Sequence, residues 1–308
     1  MFVATDLHGH TLHSDGRATP DEYVEFRRSL GMKAIAIADH DVLAGVRQGA
    51  IAAERAGMLF IPALEVTAHI HYGTSAEEQF HVLAYYPHDV VQGPQLEHKR
   101  LYQRGLLVQA RWKELVLEWT RGLAPEDREA LDPEGELEKL PPPVFPALQS
   151  MILRIVDRGV GPRTPKERGL TEEKRRELFE SFREHHQLFW SSQGPNRDLF
   201  GWTPEEAIEA IGADGATEVI AHPTRYRDKD RTMKVIEIAR GLEVYTSRHK
   251  AEVAAMYREI AESKRKYWTS SSDDHQNARY VRPPCGTPLR TLERICQRSF
   301  KLAQILAA

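Results

Sequence analysis

The stretch Ala34-Ile35-Ala36-Ile37-Ala38-Asp39-His40-Asp41 decides the fold. Five apolar residues follow one another with no polar alternation, as expected of a parallel strand buried on both faces. The run stops abruptly at an imidazole flanked by two carboxylates. In parallel α/β sheets and barrels, functional groups gather at the carboxyl ends of strands. Asp39-His40-Asp41 therefore marks a strand end and a candidate site together. Asp41 also suits the N-cap of the helix that follows.

The same unit recurs on both sides. Upstream, Thr19-Pro20-Asp21-Glu22 opens a helix with Thr as N-cap, Pro at the first position and acids in the first turn. It stops near Gly31. Before it, residues 2–7 read as a short strand running into the His-rich loop His8-Gly9-His10. Downstream, a helix over about 44–56 leads to the strand 59–64, which ends at Glu65. Another strand, 79–85, carries His81. This strand–loop–helix repetition predicts an α/β fold with a parallel sheet or barrel.

The middle of the chain changes character. Residues 94–193 are charged and mostly helical, with one long helix over 96–121 and another over 171–190. Pro141-Pro142-Pro143 forms a rigid linker between them. The alternation then returns. A helix starts at Thr203, and a strand at 218–221 ends at His222. A helix at 231–240, a strand at 241–245 and a helix at 250–264 follow. A strand at 267–271 ends at Asp273-Asp274-His275, and a helix at 289–306 closes the chain. The expected organisation is a discontinuous barrel, 1–92 and 203–308, with a helical insertion, 93–202, over its mouth.

The 308 residues carry 42 basic and 45 acidic side chains, for a formal charge of −3, so no global basic field points to nucleic acid as an obligatory partner. No apolar run approaches the ~18–20 residues that span a bilayer. No basic and apolar leader opens the sequence, and two cysteines, Cys285 and Cys296, form no disulfide framework. Together these point to the cytoplasm, with no membrane and no obligatory protein partner.

The 14 histidines carry the functional signal, because several sit beside carboxylates at strand ends. His8 and His10, two apart in extended chain, face the same side and can grip one ion. Asp15 lies beyond a tight turn and can fold back to them. His40, Glu65, His81, His222, Asp273 and His275 complete the set. Imidazole with carboxylate suits Zn, Mn or Fe. His13, His69, His71, His88, His98, His185 and His186 fall outside this pattern and read as surface or structural.

These segments, in order, resemble the PHP (polymerase and histidinol phosphatase) family. The motifs are Asp6-Leu7-His8-Gly9-His10-Thr11 with Ser14-Asp15-Gly16, Asp39-His40-Asp41, Glu65, His81, Ala221-His222-Pro223, Gly241-Leu242-Glu243-Val244-Tyr245 and Ser272-Asp273-Asp274-His275. The resemblance covers about 1–90 and 203–290. It implies a distorted (β/α)7 barrel and phosphoester hydrolysis at two or three divalent ions. By position it places His8, His10, Glu65 and Asp273 on one ion. Glu65 bridges to a second, with His81 and His222. Asp15, His40 and His275 hold a third. Asp15, where some members carry His, is similar to the stand-alone branch acting on small phosphoesters. Two departures stand out. Ser271 replaces a usual Gly, and Asp274 replaces a common Phe, adding a carboxylate that is expected to alter metal preference or the third site.

The expected substrate is a small phosphomonoester such as a nucleoside monophosphate or 3′,5′-bisphosphate. Glu65 and Asp273 serve the chemistry through the ions. Arg225 and Arg17 are candidates for binding phosphoryl oxygens. His249 is a candidate for protonating the leaving alkoxide or binding phosphate. Alternatives are a histidinol-phosphate phosphatase and an exonuclease on short oligonucleotides. In the latter, Trp112, Trp119, Trp190 and Trp202 would stack bases, unless they serve the core. A different class is a catalytically inactive metal-binding regulator.

Overall fold

The computed structural model describes residues 1–132, 134–158, 165–186, 196–277 and 286–299. Parts of the expected helices at 171–190 and 289–306 lie outside these residues, as do Trp190 and Cys285. The chain opens with β1 (Phe2–Val3), β2 (Thr5–Asp6), α1 (Pro20–Ser29), β3 (Ala34–Ile37), α2 (Val46–Arg55), β4 (Leu59–Ile70) and β5 (Glu78–Tyr85). Five helices follow: α3 (Arg100–Arg121), α4 (Pro125–Leu131), α5 (Leu148–Arg158), α6 (Pro165–His185) and α7 (Arg197–Phe200). The closing half contains α8 (Pro204–Ala213), β6 (Thr217–Ile220), α9 (Lys229–Ile238), β7 (Gly241–Tyr245), α10 (Ala251–Ser263), β8 (Tyr267–Ser270), β9 (Thr287–Pro288) and α11 (Leu289–Ile295).

Strands β2 to β8 form one seven-stranded sheet in chain order, curled into a nearly closed barrel. The decisive run shows why it lacks alternation. Ala34, Ala36 and Ala38 belong to an inner cluster with Leu7, Ala63, Leu83 and Val219. Ile35 and Ile37 join the outer core with Tyr23, Val46 and Phe60. Small residues fill the interior and branched ones face the helices. Burying each isoleucine is worth about 1.5–3 kcal/mol. Thr19 is the N-cap as expected and forms a capping box with Glu22, and Thr203 and Glu206 form a second one.

The expected all-parallel sheet is corrected at one strand. β5 runs antiparallel to both β4 and β6, while the remaining pairs are parallel. β4 and β5 form a long hairpin from Ala63↔Tyr85 to Ile70↔Glu78. Glu65 is therefore mid-strand, not last. β8 and β2 meet through a few bonds: Asp273 N–H donates to the His8 carbonyl at 2.8 Å and His10 N–H to the Asp274 carbonyl at 3.1 Å.

The helices between β5 and β6 enclose a separate apolar cluster of Val108, Val116, Trp119, Phe145, Met151 and Phe182. Trp119 is thus core, and Trp202 packs under the Arg104 guanidinium, 4.1 Å from its ring centre. Among the described residues, no helix is long and apolar enough to cross a membrane.

Candidate metal centre

His8 and His10 leave β2 on the same side, with ring centres 5.1 Å apart. The turn after them is pinned by buried Asp39. It accepts the Thr11 N–H (2.7 Å), the Thr11 hydroxyl (2.6 Å) and the Ser14 hydroxyl (2.7 Å). This brings Asp15 back over His10, with Oδ1 3.6 Å from Nδ1. Asp39 is thus a supporting residue. Asp41 does not cap α2, whose N-cap is Gly45 with no side-chain bond. It instead accepts the Thr67 N–H and pairs with Arg104 at 2.7 Å.

Glu65 is the hub. Its Oε2 lies 3.3 Å from His8 Nε2, 3.5 Å from His10 Nε2 and 3.1 Å from His40 Nδ1. Its Oε1 lies 3.0 Å from His81 Nδ1 and 3.1 Å from His222 Nε2. Asp273 Oδ1 lies 3.3 Å from His10 Nε2 and 3.6 Å from His8 Nε2. His275 Nε2 lies 3.3 Å from Asp15 Oδ2. In this centre three groups of ligand atoms each fall within 4.8 Å of one another: His8, His10, Glu65 and Asp273; His40, Glu65 and His81; and His10, Asp15, His40 and His275; a fourth, Glu118, His185 and His186, lies apart on the helical segment. The first group is the expected one. His40 and His10 additionally stand between neighbouring groups, and His222 joins through Glu65 Oε1.

The chemistry of these atoms fits divalent ions. His8 Nε2, His40 Nδ1, Glu65 Oε2 and Asp273 Oδ2 are buried and make no hydrogen bond. Glu65 Oε2 lies 3.3 Å from His8 Nε2 and 3.1 Å from His40 Nδ1 without hydrogen-bond alignment, so these three atoms face a shared space. Buried polar atoms are rarely left so. A mixed imidazole and carboxylate set suits Zn, Mn or Fe.

Electrostatics agree. Burial alone would raise the Glu65 carboxyl, but His81, His8 and His40 hold it well below the usual range. Asp273, buried likewise, is held well below by His8 and His10. Burial pushes His81 down to about 3, against the pull of Glu65. Burial opposes charge on His275, but Asp15 and Asp273 outweigh it and lift the ring to about 9.

Two supports escaped the sequence reading. Glu243 is fully buried; its Oε1 lies 3.1 Å from His8 Nδ1 and also accepts the Ser271 hydroxyl, while Oε2 accepts the His222 N–H at 2.7 Å. A Glu between apolar residues of a buried strand was the available signal. Arg27 is the other. It donates to Asp6 Oδ2 and Asp274 Oδ2, both at 3.0 Å. Asp274 therefore turns away from the ion groups, and the expectation that it adds a metal-facing carboxylate is corrected. Asp6 in turn accepts the Ser272 N–H and hydroxyl, both at 2.8 Å.

Of the anion-binding candidates, Arg225 reaches the centre, with Nη1 3.4 Å from His81 Nδ1. Arg17 is exposed, and its backbone N–H donates to the His275 carbonyl at 3.0 Å. His249 Nδ1 lies 2.8 Å from the Val244 carbonyl, and its Nε2 is buried without a bond. Arg248, missed in the sequence, places Nη2 2.9 Å from Asp273 Oδ2, outside hydrogen-bond alignment. A cavity of about 560 Å³ opens from Asp15, His40 and His81 and runs under the helical segment to Trp112, Arg176 and Phe179. Arg17, Arg225 and His249 are not among its lining residues. His13 and His69, read as surface or structural, do line it.

A barrel whose mouth holds adjoining His, Asp and Glu groups around one shared carboxylate defines a protein able to bind several metal ions. Residues 6–123 match the PHP domain family model. Two curated relatives are similar over short stretches. A 5′-3′ exoribonuclease of Haemophilus influenzae is 36% identical over 69 residues, 22% of this chain and 25% of that protein. A 3′,5′-nucleoside bisphosphate phosphatase of Chromobacterium violaceum is 37% identical over 62 residues, 20% of this chain and 22% of that protein. The chain thus aligns with about a quarter of the length of these relatives. Among solved structures, a predicted metal-dependent phosphoesterase of Bifidobacterium adolescentis superposes with a TM-score of 0.62 at 24% identity, over 97% of both chains. An amidohydrolase of Chromobacterium violaceum superposes with a TM-score of 0.61 at 22% identity, over 94% of this chain and 96% of that one. These two likenesses establish a shared fold.

Proposed function

We propose that the protein is a metal-dependent phosphoester hydrolase, acting as a phosphatase on a small phosphomonoester such as a nucleoside monophosphate or 3′,5′-bisphosphate. The observation that carries this reading is the split carboxylate of Glu65. One oxygen faces His8, His10 and His40, the other His81 and His222. His8, His10, Glu65 and Asp273 would hold one ion, Glu65, His81 and His222 a second, and Asp15, His40 and His275 a third. Such ions lower the pKa of bound water and neutralise charge on a phosphoryl group.

The protein's own side chains bind and orient. Arg225, beside His81, offers a planar guanidinium to phosphoryl oxygens. Arg248 approaches the same centre from the Asp273 side, and Arg17 lies on the turn after Asp15. His249, with Nδ1–H given to Val244, presents Nε2 as an acceptor and needs a second proton to act as an acid. The helical segment over the mouth, 93–202, shapes the cavity that takes the alcohol. The names of the two curated relatives support a nucleotide. A buried free thiol at Cys296 suits the cytoplasm.

A second reading is an exonuclease on short oligonucleotides. The length of the cavity favours it, because Trp112 and Phe179 line the end away from the ions.

The test is phosphate release from nucleoside monophosphates, 3′,5′-bisphosphates, histidinol phosphate and short oligonucleotides, after chelation and restoration of Mn²⁺ or Zn²⁺. Turnover that needs metal and vanishes in Glu65→Ala supports the reading. No turnover on any ester, with metal bound stoichiometrically, refutes it in favour of a binding role.

A further inference from the structure

Strand β4 does not stop at the ion groups. Glu65, Thr67 and His69 alternate onto one face. Across the ladder, Thr67 pairs with His81 and His69 with Gln79. A polar stripe therefore leaves the centre along the wall of the large cavity, where Thr67, His69, Glu77 and Gln79 all appear. At the rise of an antiparallel strand, His69 stands roughly 13 Å along the chain from Glu65.

His69 is 4% exposed, and neither of its ring nitrogens makes a hydrogen bond. The Phe200 carbonyl acts on the ring without reaching hydrogen-bond geometry. Glu77 Oε1 lies 3.9 Å from Nε2, beyond bonding distance. That carboxylate is itself fixed, because Oε2 accepts the Gly73 N–H at 2.8 Å. The His69 backbone is fixed too, donating its N–H to the Trp202 carbonyl at 2.6 Å. Structural histidines in this protein behave differently. His88 Nδ1 lies 2.9 Å from the Phe60 carbonyl, and His186 Nε2 2.7 Å from the Leu115 carbonyl. Burial holds the His69 pKa below its ordinary value, so the ring is neutral and offers one donor and one acceptor.

We infer that His69 is a specificity-determining residue that hydrogen-bonds a polar group on the far part of the leaving alcohol. The ester it selects has an extended polar alcohol, of nucleoside length, over a compact one such as glycerol phosphate. This inference rests on the phosphoesterase reading above.

The test compares His69→Phe, which fills the space without nitrogens, and His69→Gln, which keeps a donor and an acceptor. The readout is the ratio of kcat/KM for adenosine 5′-monophosphate to that for glycerol 2-phosphate. His69→Phe is expected to lower the ratio about tenfold, mainly through KM, and His69→Gln to recover much of it. An unchanged ratio, or a drop that His69→Gln does not repair, overturns the inference. If the wild type hydrolyses neither ester, calorimetry on the metal-loaded protein decides. Adenosine monophosphate binding that weakens in His69→Phe and returns in His69→Gln keeps the subsite, while the phosphoesterase reading stands or falls on the full ester panel. Equal binding overturns the His69 inference.

Discussion

Glu243 Oε1 lies 3.1 Å from His8 Nδ1, on the side of the ring away from Glu65. By accepting from Nδ1–H, the carboxylate would leave the Nε2 lone pair free for an ion on the Glu65 side. Glu243→Gln is expected to weaken metal binding about 10–100-fold. Titration of the chelated protein against a metal-indicator dye measures this. Unaltered affinity would mean that the contact orients nothing.

Arg27 is fully buried between Asp6 and Asp274, and it ties α1 to the loop bearing Asp273 and His275. Arg27→Met leaves two buried carboxylates without their cation. The expected loss is about 3–5 kcal/mol in urea denaturation. A loss well under that would show that water reaches the pair.

His275 sets a pH dependence. Its pKa in the folded, metal-free protein is raised to about 9 from an ordinary 6.5. The stability this contributes is complete below 6.5 and is lost as pH rises through about 9. Chelated wild type should therefore lose melting temperature over that window relative to chelated His275→Asn. Metal competes with the same proton, so affinity should rise across the same window. A melting difference that stays flat from pH 6.5 to 9 would contradict the raised pKa.

Gly16 closes the turn that carries Asp15, with its N–H on the Thr11 carbonyl at 3.0 Å. A Cβ there would stand 2.3 Å from the His10 carbonyl oxygen and 2.6 Å from the Thr11 nitrogen, both backbone atoms that cannot swing aside. Gly16→Ala should cost about 1–3 kcal/mol and reduce metal occupancy through His10 and Asp15. Melting curves with and without metal would separate the two effects.

The alternation of strands and helices was legible because each buried strand ends in a polar residue whose chemistry differs from the run before it. Gly241–Tyr245 is found as read, and the strand read at 34–38 runs Ala34–Ile37. The reversal at β5 was not, because an apolar run buried on both faces carries no sign of direction. The extension of β4 through His69 was missed for a related reason. Past Glu65 the chain turns from continuous apolar to alternating, which in sequence looks like the end of a buried strand. The ligands were legible as residue types at strand ends. Their supports were not, because Asp274 and Glu243 find Arg27 and His8 only 247 and 235 positions away. An extra acid beside a ligand looks like a ligand until its partner is known.

The seam between β2 and β8 has a consequence for how the protein is made. His10 and Asp273 face each other across 263 positions of chain. A ribosome exposes the first long before the second, so the nascent protein presents His8, His10, His40 and Glu65 without the carboxylate that completes their group. Completion of the group that His10 and Asp273 share must therefore wait until Asp273 has been translated, and an ion held there would clasp two segments far apart in the chain.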